Sequence, residues 1–198
     1  VLQIPRFSAK FTWQADDSVL RLIAMQMSSA VQDEFAKLRK ARSLDRGMGA
    51  VSHTFLLEAG RWLLQGSWLD RDAMPLPVKG KILIVWGRDN WYDMVTQLEF
   101  PTVERDKVTF KYRGRFNGSD RQYTFVLQHS ELGRVEGEGW IAPESIVQRY
   151  WVLGDRQRRT GFETLRRMSE NTYYLSSSIM SGHYLSSLME AMVERQVE

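Results

Sequence analysis

Tyr123-Thr124-Phe125-Val126-Leu127-Gln128-His129 places Tyr123, Phe125, Leu127 and His129 on one face of an extended chain and Thr124, Val126 and Gln128 on the other. A period of two, rich in aromatic and β-branched residues, is the pattern of a strand and not of a helix. Glu131-Leu132-Gly133 then turns the chain, and a second stretch of period two runs over 133–141. A link this short leaves no room for a crossover helix, so the two stretches pair antiparallel.

The same pattern extends from Gly60 to the C-terminal end, with turn residues recurring roughly every 8 to 14 positions. It predicts about ten strands, at 61–69, 80–87, 92–100, 107–114, 121–129, 133–141, 145–153, 159–168, 172–180 and 183–195. Between them stand Pro75 and Pro77, Gly87-Arg88-Asp89-Asn90, Pro101, Asn117-Gly118, Ala142-Pro143, Gly154-Asp155, Glu170-Asn171 and Ser181-Gly182. Gly and Asn accept positive φ and Pro fixes its own, so each is a turn signal with a cause. A sheet of this size has two edges to hide. Closure removes both, whereas a sandwich needs longer Greek-key links. The expected fold is therefore mainly β: an antiparallel up-and-down meander closed into a barrel of about 8–10 strands.

Ahead of the barrel, Leu20, Ile23, Met27, Val31, Phe35 and Leu38 recur at spacings of three and four, which predicts an amphipathic α-helix over 18–42. Asp16, Asp17 and Ser18 suit its N-cap, and Lys37, Arg39, Lys40 and Arg42 suit its C-terminal dipole. The expected organisation is an N-terminal extension over 1–50, ending in the joint Arg46-Gly47-Met48-Gly49-Ala50, and a barrel over 51–198.

Composition narrows the function classes. The 198 residues include no cysteine, which rules out disulfides, thiolate nucleophiles and Cys-based metal sites and fits a reducing cytoplasm. There is neither a run of apolar residues long enough for a membrane span nor a basic-then-apolar leader, so the chain reads as soluble. Lys and Arg number 27 against 24 Asp and Glu, interleaved along the chain; this describes a solvated surface, and no nucleic-acid partner is expected.

No catalytic constellation emerges. His53, His129 and His183 are scattered without metal-ligand spacing. Ser176, Ser177, Ser178, Ser181, Ser186 and Ser187 lack a nucleophile elbow, and read as small residues that open space inside a barrel or let a helix lie against its outside. Gly133, Gly137 and Gly139 read as kinks that let a sheet curl. Glu136 and Glu138 share a strand face about 7 Å apart, but with Arg134 beside them they read as solvent-facing charges.

The stretch Ser145–Leu153 is the most informative for binding. One face carries Ile146, Gln148, Tyr150 and Val152; the other carries Val147, Arg149, Trp151 and Leu153. A buried charge needs a partner, so Arg149 turned inward would want an acidic ligand or a Glu such as Glu163 or Glu190. Trp86, Trp91, Tyr112, Trp140 and Trp151 would converge on the lumen or its mouth. The residues expected to touch a ligand are Gln65, Trp86, Tyr112, His129, Arg149, Trp151, Glu163, Tyr174 and His183.

Gly60-Arg61-Trp62, with Arg195 on the last strand, resembles the lipocalins and their calycin relatives. In that superfamily a G-x-W at the start of the first strand plugs the barrel base, and an Arg of the final strand stacks on the indole. The resemblance implies a lipocalin- or FABP-like barrel, with Gly60, Trp62 and Arg195 as closure residues. The longer stretch Gly60-Arg61-Trp62-Leu63-Leu64-Gln65-Gly66-Ser67 is also similar to the opening of the S-type bilin chromophore lyases of cyanobacteria, and Gln148-Arg149-Tyr150-Trp151 loosely resembles a late strand of theirs. No histidine-rich stretch follows Ser67, and position 148 is Gln rather than acidic.

The expected function is a non-catalytic carrier holding a small elongated hydrophobic ligand, with an acidic or polar end near Arg149. The lyase resemblance implies an alternative: a bilin lyase or tetrapyrrole chaperone, with a bilin or other tetrapyrrole as cofactor and a phycobiliprotein as partner. A haem reading rests on His183, as in barrels of the nitrobindin type. A third reading is a scaffold with a filled barrel, its helix docking on a partner.

Overall fold

The computed structural model describes residues 53–117 and 121–196. The helix expected over 18–42, and the extension over 1–50 to which it belongs, lie outside the described residues. Ten strands follow one another: β1 (Gly60–Asp70), β2 (Leu76–Trp86), β3 (Trp91–Glu99), β4 (Val108–Phe116), β5 (Gln122–His129), β6 (Gly133–Ile141), β7 (Ser145–Val152), β8 (Arg159–Arg167), β9 (Thr172–Ser181) and β10 (Tyr184–Arg195). Each pairs antiparallel with the next, and β1 pairs with β10, so the meander closes into a barrel. All ten expected stretches are strands. The largest difference is β2, which begins at Leu76 and takes in Pro77. Its ladder to β3 starts only at Lys79↔Glu99, so Pro77 lies where β2 borders β1 alone, an edge position at which proline is tolerated. Among the described residues no helix is long and apolar enough to cross a membrane.

Closure runs from Trp62↔Arg195 to Asp70↔Ser187 without a break. A slip between Leu185 and Ser187 in the β9–β10 ladder leaves Ser186 as an extra residue, the kind of bulge that bends a strand at a barrel rim. Alternation then sorts the side chains. Along β5, Tyr123, Phe125, Leu127 and His129 point inward and are buried, while Gln122, Thr124, Val126 and Gln128 are exposed.

The inward face is filled by aromatic rings lying over glycines. Tyr92 pairs with Gly114, Phe125 with Gly137, Tyr123 with Gly139 and Tyr150 with Gly161. At each of these glycines an added Cβ would come within 2.4 Å of its partner's ring, a separation no van der Waals contact allows. Gly137 and Gly139 thus do more than let the sheet curl, as the sequence suggested: they leave out a side chain so that a neighbour's ring can cross the space.

One end of the barrel, the base, is sealed by residues 53–59. The Tyr173 hydroxyl accepts the backbone N–H of Thr54 at 3.0 Å and of Phe55 at 3.3 Å, and the Trp86 indole N–H donates to the Leu56 carbonyl at 3.0 Å. Trp62, 1% exposed, packs edge-on against Phe55 and Tyr173. The Arg195 guanidinium lies 5.7 Å from the Trp62 ring centre and donates to the Glu58 carboxylate at 2.7 Å and the Ala59 carbonyl at 3.0 Å. A cation over an indole face contributes about 0.5–2 kcal/mol, and here it joins the first strand to the last.

Replacing Gly161 with Ala should destabilise the fold by about 1–3 kcal/mol, since the Tyr150 ring must leave its place. The expected result is a lower urea midpoint with an unchanged slope; an unmoved midpoint would show that the ring does not depend on the glycine.

Candidate functional site

On β7, Ile146, Gln148 and Tyr150 turn inward and Val147, Arg149 and Trp151 turn outward. The reason is electrostatic: the first face carries no charge, and the lumen is spared an unpaired guanidinium. Gln148 then falls into one inward row that crosses five strands, Tyr123↔Gly139↔Gln148↔Glu163↔Ser177. Because Gly139 is bare, Tyr123 reaches across it and donates its hydroxyl to Gln148 Oε1 at 3.0 Å. The Gln148 amide donates to Glu163 Oε2, and Ser177 Oγ donates to Glu163 Oε1 at 3.0 Å.

Glu163 is buried. Loss of water raises its pKa above the usual carboxylate range, against the opposing effect of the two hydrogen bonds it accepts. Burial likewise raises Tyr112, Tyr123 and Tyr150, and the charge of Glu163 adds to each. The Tyr150 hydroxyl is buried without a partner among the described residues. A cavity of about 40 Å³ borders this row, walled by Leu64, Ile82, Met94, Met189 and other apolar side chains together with Thr96, Tyr112, Tyr123, Gln148 and Glu163. Among the described residues no Lys, Arg or His lines it. That volume admits a few waters and is far below the roughly 300–1,000 Å³ of a site for a drug-sized molecule.

The nine residues expected to touch a ligand separate into two groups. Tyr112 and Glu163 border the cavity. Trp86 points inward but belongs to the base seal. His129 points inward at the opposite end, the mouth, against Phe110; its Nδ1 accepts the backbone N–H of Glu131 and Leu132, and burial lowers its pKa to about 4. It is a turn-binding histidine. Gln65, Trp151 and Tyr174 lie on the outer wall and His183 is exposed in the β9–β10 turn; Tyr174 is hydrogen-bonded to Glu190.

Arg149, expected to meet an acidic ligand, is also on the outer wall, its side chain 61% exposed. It donates to Glu138 at 2.7 Å, the residue facing it across the β6–β7 ladder. Trp140 is outside as well, and Trp91 lies on the outer wall beneath Arg113 and Arg115. The polar row contains two residues that were not among the expected ligand contacts and border the cavity, Tyr123 and Gln148, and one that supports them, Ser177. For Gln148 the signal was present in the sequence: the charge-free face of its strand is the one that can be buried.

These features define a class, a ten-stranded closed barrel whose mostly apolar inside carries a hydrogen-bonded polar row. Two of the solved structures similar to it illustrate the likeness. Rv2717c from M. tuberculosis shares 12% identity over 70% of this chain and 92% of its own, with a TM-score of 0.55. The S-type phycobiliprotein lyase CPES from Guillardia theta shares 13% over 71% of this chain and 89% of its own, with a TM-score of 0.50. At such identities the likeness is one of fold. No family model and no curated protein matches the chain.

The raised pKa of Glu163 sets a pH dependence of known sign. Its contribution to stability is complete below the unfolded carboxyl value of about 4.3 and is lost as pH rises through the folded value. Glu163→Gln should therefore gain in melting temperature relative to the parent as the pH rises from the unfolded carboxyl value through the raised folded one. A difference that stays constant with pH would mean that burial does not raise the pKa of the carboxyl.

Proposed function

We propose that this chain is a non-catalytic binding protein that holds one compact, mostly apolar molecule inside its barrel. The observation that carries the reading is the cavity itself: a space walled mainly by apolar side chains, with Tyr123, Gln148 and Glu163 of the polar row among its hydrogen-bonding groups. Two features expected from the sequence are revised. An elongated ligand does not match a space of about 40 Å³, and an acidic end would face Glu163 instead of a cation. Met94 and Met189 border the space, and methionine, with its unbranched and polarizable chain, re-packs easily around a guest.

Access at the mouth is governed by the β3–β4 connection. Arg105 donates to Asp70 at 3.0 Å and to Glu131 at 3.1 Å, and its guanidinium lies 4.4 Å from the Phe100 ring centre. It ties the end of β1 to the β5–β6 turn over the mouth. A cysteine-free chain also suits work in a reducing cytoplasm.

The second reading is a bilin-handling protein, favoured by the fold likeness to a phycobiliprotein lyase and by the stretch Gly60–Ser67. A tetrapyrrole is far larger than the cavity, so on this reading the barrel would open or hold the bilin at its mouth.

Tryptophan fluorescence titrated with short alcohols, a fatty acid, a carotenoid and phycocyanobilin separates these readings. Saturable binding of the short alcohols, lost in a cavity-filling Ile82→Phe variant, supports the compact-ligand reading. A response to phycocyanobilin alone supports the bilin reading, and silence from every compound leaves a filled scaffold. If Arg105 closes the mouth, Arg105→Ala should speed ligand association several-fold with little change in affinity; an unchanged rate would place the way in elsewhere.

A further inference from the structure

Among the described residues the lumen holds a carboxyl group and no matching cation. Around the cavity, β1 and β2 present Leu64 and Ile82, β3 presents Met94 and Thr96, and β10 presents Met189. Facing Glu163 of β8 are the phenols of Tyr112 on β4, Tyr123 on β5 and Tyr150 on β7, the amide of Gln148 on β7 and the hydroxyl of Ser177 on β9. None of these groups carries a positive charge. Gln148 and Ser177 each occupy one site on a different carboxylate oxygen, and a carboxylate has about four such sites. Acceptor capacity thus remains on a side chain that borders the cavity.

A guest anion would meet the charge or the desolvated acid and be rejected. A neutral guest would gain one ordinary hydrogen bond. A guest cation would gain a charge-assisted one in a medium where such bonds are strongest.

We infer that the lumen recognises a compact primary amine, whose ammonium pairs with the Glu163 carboxylate while its alkyl part lies among Leu64, Ile82, Met94 and Met189. This rests on the compact-ligand reading and gives it a chemical class. The proton balance is simple. Where Glu163 carries a proton in the empty barrel, the ammonium displaces it to solvent, one proton released per amine bound, and no covalent bond to carbon changes. Affinity for the amine therefore rises about tenfold per pH unit below the pKa of Glu163 and levels off above it.

The test uses the full chain with ¹³C-methyl methionine, following the Met94 and Met189 methyl signals against n-butylamine, n-butanol and butyrate at about pH 5.5 and about pH 8. At the higher pH butylamine is expected to bind at least about tenfold more tightly than butanol, the span of one charge-assisted hydrogen bond. The gap narrows at the lower pH, and butyrate moves neither signal. Glu163→Gln should erase the amine preference and leave butanol binding in place. If butanol binds the parent as tightly as butylamine, the amine inference falls and the compact-ligand reading stands; if no compound moves either methyl, both fall. Should Glu163→Gln fail to fold, Ser177→Ala serves instead. It removes a hydrogen bond that favours the carboxylate, so the pH midpoint of amine binding should move upward, and an unmoved midpoint overturns the inference.

Discussion

Everything inside this molecule depends on the hydrogen-bonded seam between β1 and β10. While the seam holds, ten strands share one inward face, and inward residues are removed from water on every side. The Trp62–Arg195 contact stands at the base end of that seam, where Arg195 also reaches Glu58 and Ala59. The indole seals the base, and the guanidinium, directly opposite it across the ladder, ties the last strand to residues 58 and 59. A barrel of this strand number encloses more space than aliphatic side chains alone fill. Here four rings are each laid over a glycine of the adjacent strand, and together with the other buried rings they leave a small cavity instead of an open cup.

Such filling raises the cost of anything polar left inside, because an unpaired buried group loses its water without a replacement. The row from Tyr123 to Ser177 meets that cost by hydrogen-bonding each member to the next. Glu163 is its one ionisable carboxyl, and burial raises its pKa against the two hydrogen bonds that it accepts. His129 follows the opposite logic: held neutral by burial, with a pKa near 4, it favours the fold above its ordinary range and opposes it as the pH falls toward that value. The two groups tilt stability in contrary directions across the mildly acid range.

How much of this could be read from sequence depended on whether the information was local. The ten strands were legible because period-two alternation and turn chemistry are properties of neighbouring residues, as in Tyr123–His129 and the Gly154-Asp155 turn. The closure pair Trp62 and Arg195 was legible through resemblance, and the contact is present. Pro77 misled at the start of β2 because whether a proline falls on a paired or an edge stretch depends on where β3 ends. Arg149 was expected beside a ligand because its partner Glu138, eleven residues upstream, becomes a neighbour only once the β6–β7 register is fixed. Gly137 and Gly139 were read through the backbone alone, since the ring that each accommodates belongs to another strand. The same ignorance of register hid the row joining Gln148 to Glu163.

The central claim is that the barrel keeps a space open at the buried carboxyl of Glu163. A crystal structure at high resolution, with crystals pressurised in xenon, tests it most directly. The account calls for ordered density among Leu64, Ile82, Met94 and Met189, with water or another guest within hydrogen-bonding distance of Glu163. An interior in which those side chains meet one another, leaving Glu163 enclosed by protein atoms alone, would contradict it.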